Sequence, residues 1–262
     1  MTDTTSPQTV ISEAYRVFSG HPAPRHLDAS PYKDMSGWLQ RLTGVPLKDI
    51  PAEDLAPYAG SALTTVGTGT DYRYFLPRIL HLAAYREPRL GFFPVVIADR
   101  LIRAGWQEWN PAEKNAVIAV FEAAFHQALN SGAHDGPDPV SCFNEDAPLW
   151  LEALAALQQP LPKLLAIWHS LNTPRAILQL AEFALAATQL LIPHPEKLGP
   201  GWRHVKLETR QTVLAWLLSD ASLEQLMMGA PNAPVDLRWQ IDAAWDSIEN
   251  ARRSLSSASM GL

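Results

Sequence analysis

Residues Leu63–Tyr85, LTTVGTGTDYRYFLPRILHLAAY, decide how the rest of the chain is read. A Thr- and Gly-containing turn leads into apolar residues at helical spacing. Asp71 is expected at the N-cap, where a carboxylate accepts first-turn N–H groups that no helix carbonyl reaches. Pro77 lacks an amide proton and crowds the preceding turn, which predicts a kink or a short turn feeding a longer helix. At about 100° per residue, Leu76, Ile79, Leu80 and Ala83 share a core side. Tyr74, Arg78, His81 and Tyr85, spaced 4, 3 and 4, fall on the other side as an aromatic–basic stripe.

The same helical period recurs on both sides of this stretch. Pro7–Ser19 carries an apolar stripe of Val10, Ala14, Val17 and Phe18 behind a favourable N1 proline. His21–Lys33, with three prolines, reads as an extended arm. Short helices are expected around Met35–Leu42 and after Pro51, then at Phe93–Ala104. Asn110, Pro111 and Glu113 mark a helix start with a capping box, running to Leu129. Further helices are expected at Glu145–Leu157, Leu161–Leu171, Arg175–Leu191, Trp202–Leu218, Ala221–Met228 and Val235–Leu255.

Alternating β-branched runs and tight hairpin turns are nearly absent. The expected fold is all-α, with about ten to twelve helices as an irregular array of antiparallel pairs, HEAT- or armadillo-like at most. One helical domain over 35–255 is expected, after an N-terminal helix and Pro-rich arm over 1–34 and before a frayed tail over 256–262.

The string YAGSALTTVGTGTDYRYFLPRIL resembles a family of uncharacterised bacterial all-helical proteins, which shares the Ala-Leu-Thr-Thr run, a Gly, an acidic residue and Phe-Leu-Pro-Arg-Ile-Leu. Trp106, WNPAEK at Trp109–Lys114, LPKLLAIW at Leu161–Trp168 and QTVLAWLL at Gln211–Leu218 extend the resemblance in order over about two thirds of the chain. It implies an all-helical fold and brings no established activity. The relatives it points to carry Cys pairs where this chain has His21, His26 and Asp28.

Composition narrows the function. The 262 residues are 47% hydrophobic and 18% charged, ample for a sizeable core. No apolar run is long enough to cross a membrane, and the first thirty residues lack a basic start followed by an apolar stretch. Cys142 is the only cysteine, so intramolecular disulfides and cysteine zinc sites are excluded and a cytoplasmic location is expected.

The net charge of −6 is concentrated. Between Lys114 and Lys163 there is no Lys or Arg, while Glu122, Asp135, Asp138, Glu145, Asp146 and Glu152 lie in that interval. Such a patch steers basic partners and repels nucleic acid.

Enzyme signatures such as HExxH, GxSxG, a phosphate-binding GxxxxGK[ST] and a GxGxxG opening a helix after a strand are missing. No cofactor or metal is expected; His21, His26 and Asp28 are the one close cluster weighed for a metal, against an exposed arm. The leading expectation is a non-catalytic protein-interaction module, such as an acidic immunity or inhibitor protein masking a basic toxin through Asp135, Asp138, Glu145, Asp146 and Glu152. The alternative is an enzyme or small-ligand binder with an inter-helix pocket around Tyr74, Arg78, His81 and Tyr85.

Overall fold

A computed structural model describes residues 6–29, 35–85, 91, 93–130, 147–186 and 202–260. Among these residues there are twelve α-helices and no β-strand, so the fold is all-α and within the expected helix count. The chain divides into two compact units, the first comprising Met1–Gln127 and Asp138–Leu157, the second Ala128–Pro137 and Gln158–Leu262. The domain expected over 35–255 spans parts of both.

The first unit holds α1 (Pro7–Val17), α2 (Met35–Thr43), α3 (Ala52–Ser61), α4 (Gly69–Ala84), α5 (Pro94–Arg103), α6 (Pro111–Asn130, except its last turn) and α7 (Ala147–Ala156). Its centre is α4, whose Phe75, Leu76, Ile79 and Leu80 are fully buried. Burial of such side chains is the main favourable term, at about 1.5–3 kcal/mol each. The Tyr58 and Phe75 rings meet at 4.6 Å, and Phe121 meets Trp150 edge-on at 5.3 Å.

Two expectations for α4 are corrected. Its N-cap is Thr68, not Asp71; Asp71 stands at N3, accepts from the Thr68 amide at 2.7 Å and completes a capping box. Of the two outcomes expected at Pro77, the short turn feeding a longer helix does not occur, because Pro77 lies within the single helix Gly69–Ala84. The Pro77 ring is itself buried, so packing of the surrounding face offsets the roughly 3 kcal/mol that an internal proline costs.

Just before this cap, Gly67 has φ +68, and a Cβ there would come within 3.3 Å of the Tyr58 ring. The Gly67 N–H donates to the Asp28 carbonyl at 2.7 Å, and Ala29 bridges Val66, so the Pro-rich arm is stitched to the α4 turn. Leu27 anchors the arm by full burial. Asn110 caps α6 as expected, accepting from the Glu113 amide at 2.9 Å, but the Glu113 carboxylate takes His21 of the arm as its partner, at 2.6 Å. Trp106 and Trp109 are buried, as a packing role requires, and Arg73 stacks on the Trp109 ring at 4.5 Å.

The second unit holds the last turn of α6 with α8 (Pro162–Ser170), α9 (Pro174–Ala186), α10 (Leu207–Leu217), α11 (Asp220–Gly229) and α12 (Arg238–Met260). Helix α9 is buried along most of its length and packs on α12 through a face where Ile241, Ala244 and Ile248 are buried. Trp168 stacks with Phe183 at 6.0 Å, and Phe183 with Trp202 at 6.3 Å. Buried amides clamp the helix ends: Gln225 Nε2 donates to the Trp168 and Leu171 carbonyls, and Gln179 Nε2 to that of Ala128. Helix α12 continues to Met260, into the segment expected as a frayed tail.

Candidate functional site

In the first unit α1 packs on α4, and a cleft of about 600 Å³ opens beside them. Ile11, Tyr15, Pro46, Leu47, His81 and Tyr85 form most of its lining, with Lys48 as its one cationic side chain. The volume lies within the usual 300–1,000 Å³ of small-molecule sites. The stripe of α4 is thus divided. His81 and Tyr85 line the cleft, and Arg78 stands behind them. Tyr74 is elsewhere, packed edge-on against Phe75 at 4.8 Å.

Arg78 organises the polar side. Its Nε–H donates to the Ile50 carbonyl at 2.9 Å, fixing the residue that follows the 3-10 turn Leu47–Asp49, which carries Leu47 and Lys48. Its Nη1 lies 3.4 Å from His81 Nδ1, and the Tyr15 hydroxyl lies 3.1 Å from the same atom. A guanidinium is always protonated and has no lone pair to offer, so Nδ1 must be the acceptor. The imidazole proton therefore sits on Nε2, a nitrogen that has no partner among the described residues.

Electrostatics keep His81 and Tyr15 uncharged beside the Arg78 cation. Burial, then the nearby Arg78 charge, keep His81 below its ordinary pKa of 6.5. Burial also pushes the Tyr15 phenol up to about 12, against the opposing pull of Arg78. The Tyr15 and His81 rings meet at right angles with centroids 5.8 Å apart, and His81 meets Tyr85 at 5.1 Å. The cleft thus offers apolar and aromatic walls, an oriented N–H donor, a neutral phenol and a cation at its edge. An imidazole whose Nδ1 is already taken and whose Nε2 carries the proton is a donor rather than a base.

Sequence reasoning missed Tyr15, Ile11 and the Pro46–Lys48 turn. Tyr15 sits seven residues after Gln8 on the α1 side adjoining its apolar stripe, but only the α1–α4 pairing aims that side at His81. Of the acidic interval, Asp135, Asp138, Glu145 and Asp146 lie outside the described residues, as does Cys142. Glu152 is described, and it is buried on α7 rather than displayed to a partner. In the arm, His26 and Asp28 form an exposed pair at 3.0 Å, while His21 turns to Glu113; no group of three potential metal ligands occurs among the described residues.

The second unit contains a His–Ser contact that superficially resembles a nucleophile with its base. His169 Nε2 lies 2.9 Å from the Ser222 hydroxyl, but Ser222 is fully buried and donates its proton to the Trp216 carbonyl at 2.9 Å. Its oxygen is left to accept from His169, the reverse of nucleophile activation. No family model, no curated protein and no solved structure matches the chain.

Proposed function

We propose that the protein is a non-catalytic binding protein whose first unit holds a small organic anion, an aromatic or alkyl carboxylate, in the Tyr15–His81–Tyr85 cleft. The carrying observation is the His81 tautomer: Arg78 and Tyr15 converge on Nδ1 and leave a neutral, half-buried Nε2–H without a protein partner. A carboxylate oxygen suits that donor, Lys48 at the edge supplies the opposite charge, and Ile11, Leu47 and the tyrosines receive the apolar body.

The test is calorimetric titration with benzoate and longer alkyl or aryl carboxylates, beside the matching amines. Carboxylates are expected to bind and amines not to bind. His81→Phe, which keeps the aromatic wall and removes the donor, is expected to weaken carboxylate binding about 10- to 100-fold, the worth of a hydrogen bond to a charged group. Equal binding of carboxylates and amines, no binding of either, or an unweakened His81→Phe variant would overturn the reading.

A further inference from the structure

The second unit has a groove of its own, about 570 Å³, between α10 and α12 with Ala184 of α9 at its edge. Leu214 and Leu218 form one wall. Ala243, Ser247 and Ala251, one helical turn apart on α12, contribute small side chains that let another backbone approach closely. The Arg252 Nε–H donates to the Leu218 carbonyl at 2.6 Å and fixes α12 to the end of α10. Trp239, 60% exposed, lies four residues before Ala243 and seven before Asp246, so the stripe continues one turn beyond the groove to a large unpartnered ring. From Trp239 to Ser254 the stripe is about 22 Å long at 1.5 Å per residue, the length of a four-turn helix.

Charge identifies the occupant. Asp246 is the one charged side chain lining the groove, and Asp242 lies one turn earlier on α12, beyond that lining. Both are exposed, and neither has a hydrogen-bond or ionic partner among the described residues. The neighbouring cations are engaged: Arg238 donates to the Ala233 and Pro231 carbonyls, Arg252 pairs with Asp220 at 3.0 Å, and Arg253 is held by Asn250. Two free carboxylates one helical turn apart, beside an apolar channel, match Lys or Arg residues spaced one turn apart on an amphipathic helix.

We propose that this groove is a docking site for a basic amphipathic helix of a partner protein. The apolar side of that helix lies on Leu214, Leu218 and the small residues of α12, its cations meet Asp242 and Asp246, and Trp239 closes over its end. The proposal is independent of the ligand cleft in the first unit.

The test uses the full chain and two labelled 18-residue amphipathic peptides of one pattern, one of Leu and Lys and one of Leu and Glu. Fluorescence anisotropy measures affinity, and hydrogen–deuterium exchange maps the footprint. The Leu–Lys peptide is expected to bind and to protect α10 and α12, and the Leu–Glu peptide not to bind. Asp242→Asn with Asp246→Asn is expected to weaken binding about tenfold, and Ala251→Trp, which fills the groove, to abolish it. Trp239→Ala, an exposed change that leaves the core intact, is expected to weaken binding at least fivefold and covers the case in which Ala251→Trp does not fold. Absence of saturable Leu–Lys binding, equal binding of the Leu–Glu peptide, a footprint away from α10 and α12, or indifference to both the Asn pair and Trp239→Ala would overturn the proposal.

Discussion

Replacing Arg78 by Met would test the strut that shapes the cleft. Methionine keeps most of the aliphatic bulk and removes the charge and both donors. The Ile50 carbonyl, on a residue with no exposed surface, then loses the N–H that reaches it at 2.9 Å. A stranded buried acceptor costs about 1–3 kcal/mol, and loss of a charged donor places the change in the upper part of that range. The 3.4 Å contact to His81 is long and adds little. The expected loss is about 2–3 kcal/mol, or roughly 5–10 °C in Tm for a chain of this size.

The same variant acts on His81. Removing the Arg78 charge takes away the second cause of its lowered pKa while burial remains, so His81 should titrate higher than in the parent and still below 6.5. Because the folded-state pKa is depressed, the unfolded chain binds more protons between that pKa and 6.5, and stability rises with pH through this window. The parent therefore loses stability as pH falls below 6.5, and Arg78→Met loses less from this source. Thermal melts by circular dichroism across that window, with an NMR titration of the His81 ring, measure both effects. A Tm within about 1 °C of the parent, together with an unmoved His81 titration, would refute the strut.

Gly229→Ala should destabilise the second unit by about 1–3 kcal/mol despite the better helix propensity of Ala, because the new Cβ would meet Ile177 Cγ1 at 2.6 Å and Cγ2 at 2.8 Å, with Cδ1 nearer still. In urea melts, Ile177→Ala should accordingly cost less in the Gly229→Ala background than in the parent. Gln225→Leu should cost about 1–3 kcal/mol by stranding the Leu171 carbonyl, since the Trp168 carbonyl keeps the Leu171 N–H at 3.1 Å, and a fully stable variant would show that the Leu171 carbonyl finds another donor. Asp71→Ala should cost about 1–2 kcal/mol, read from denaturant midpoints, since it leaves the Thr68 amide without its acceptor.

Helix positions were legible because most are set locally. The Asn110–Pro111 start of α6, the proline starts of α1 and α5 and the apolar stripes of α3 and α4 follow from propensity and period. The α4 cap was misplaced by three residues because Thr68 and Asp71 are both good capping residues; the box uses both, and its first member lies behind a glycine turn that resembled a loop. The short-turn alternative at Pro77 failed for a different reason. Local rules give its cost to an isolated helix, whereas its buried position brings packing that no local window contains. The cleft was half legible, since the α4 spacing places His81 and Tyr85 on one face, but Tyr15 lies 66 residues before His81 and meets it only through tertiary packing. The partition of Arg78 between Ile50 and His81 was equally invisible, because Ile50 carries no motif.

The Gly67–Asp28 hydrogen bond joins segments far apart in the chain through one amide. Gly67 lies outside any helix, so fraying of α4 does not expose its proton; detachment of the arm does. Its exchange with solvent deuterium therefore reads out the opening equilibrium of the arm, residue by residue distinct from the global unfolding reported by core amides such as Ile79. Weakening the arm's anchor by Leu27→Ala should accelerate exchange at Gly67 while leaving Ile79 slow, which makes a single backbone proton the gauge of how tightly residues 21–29 are tethered.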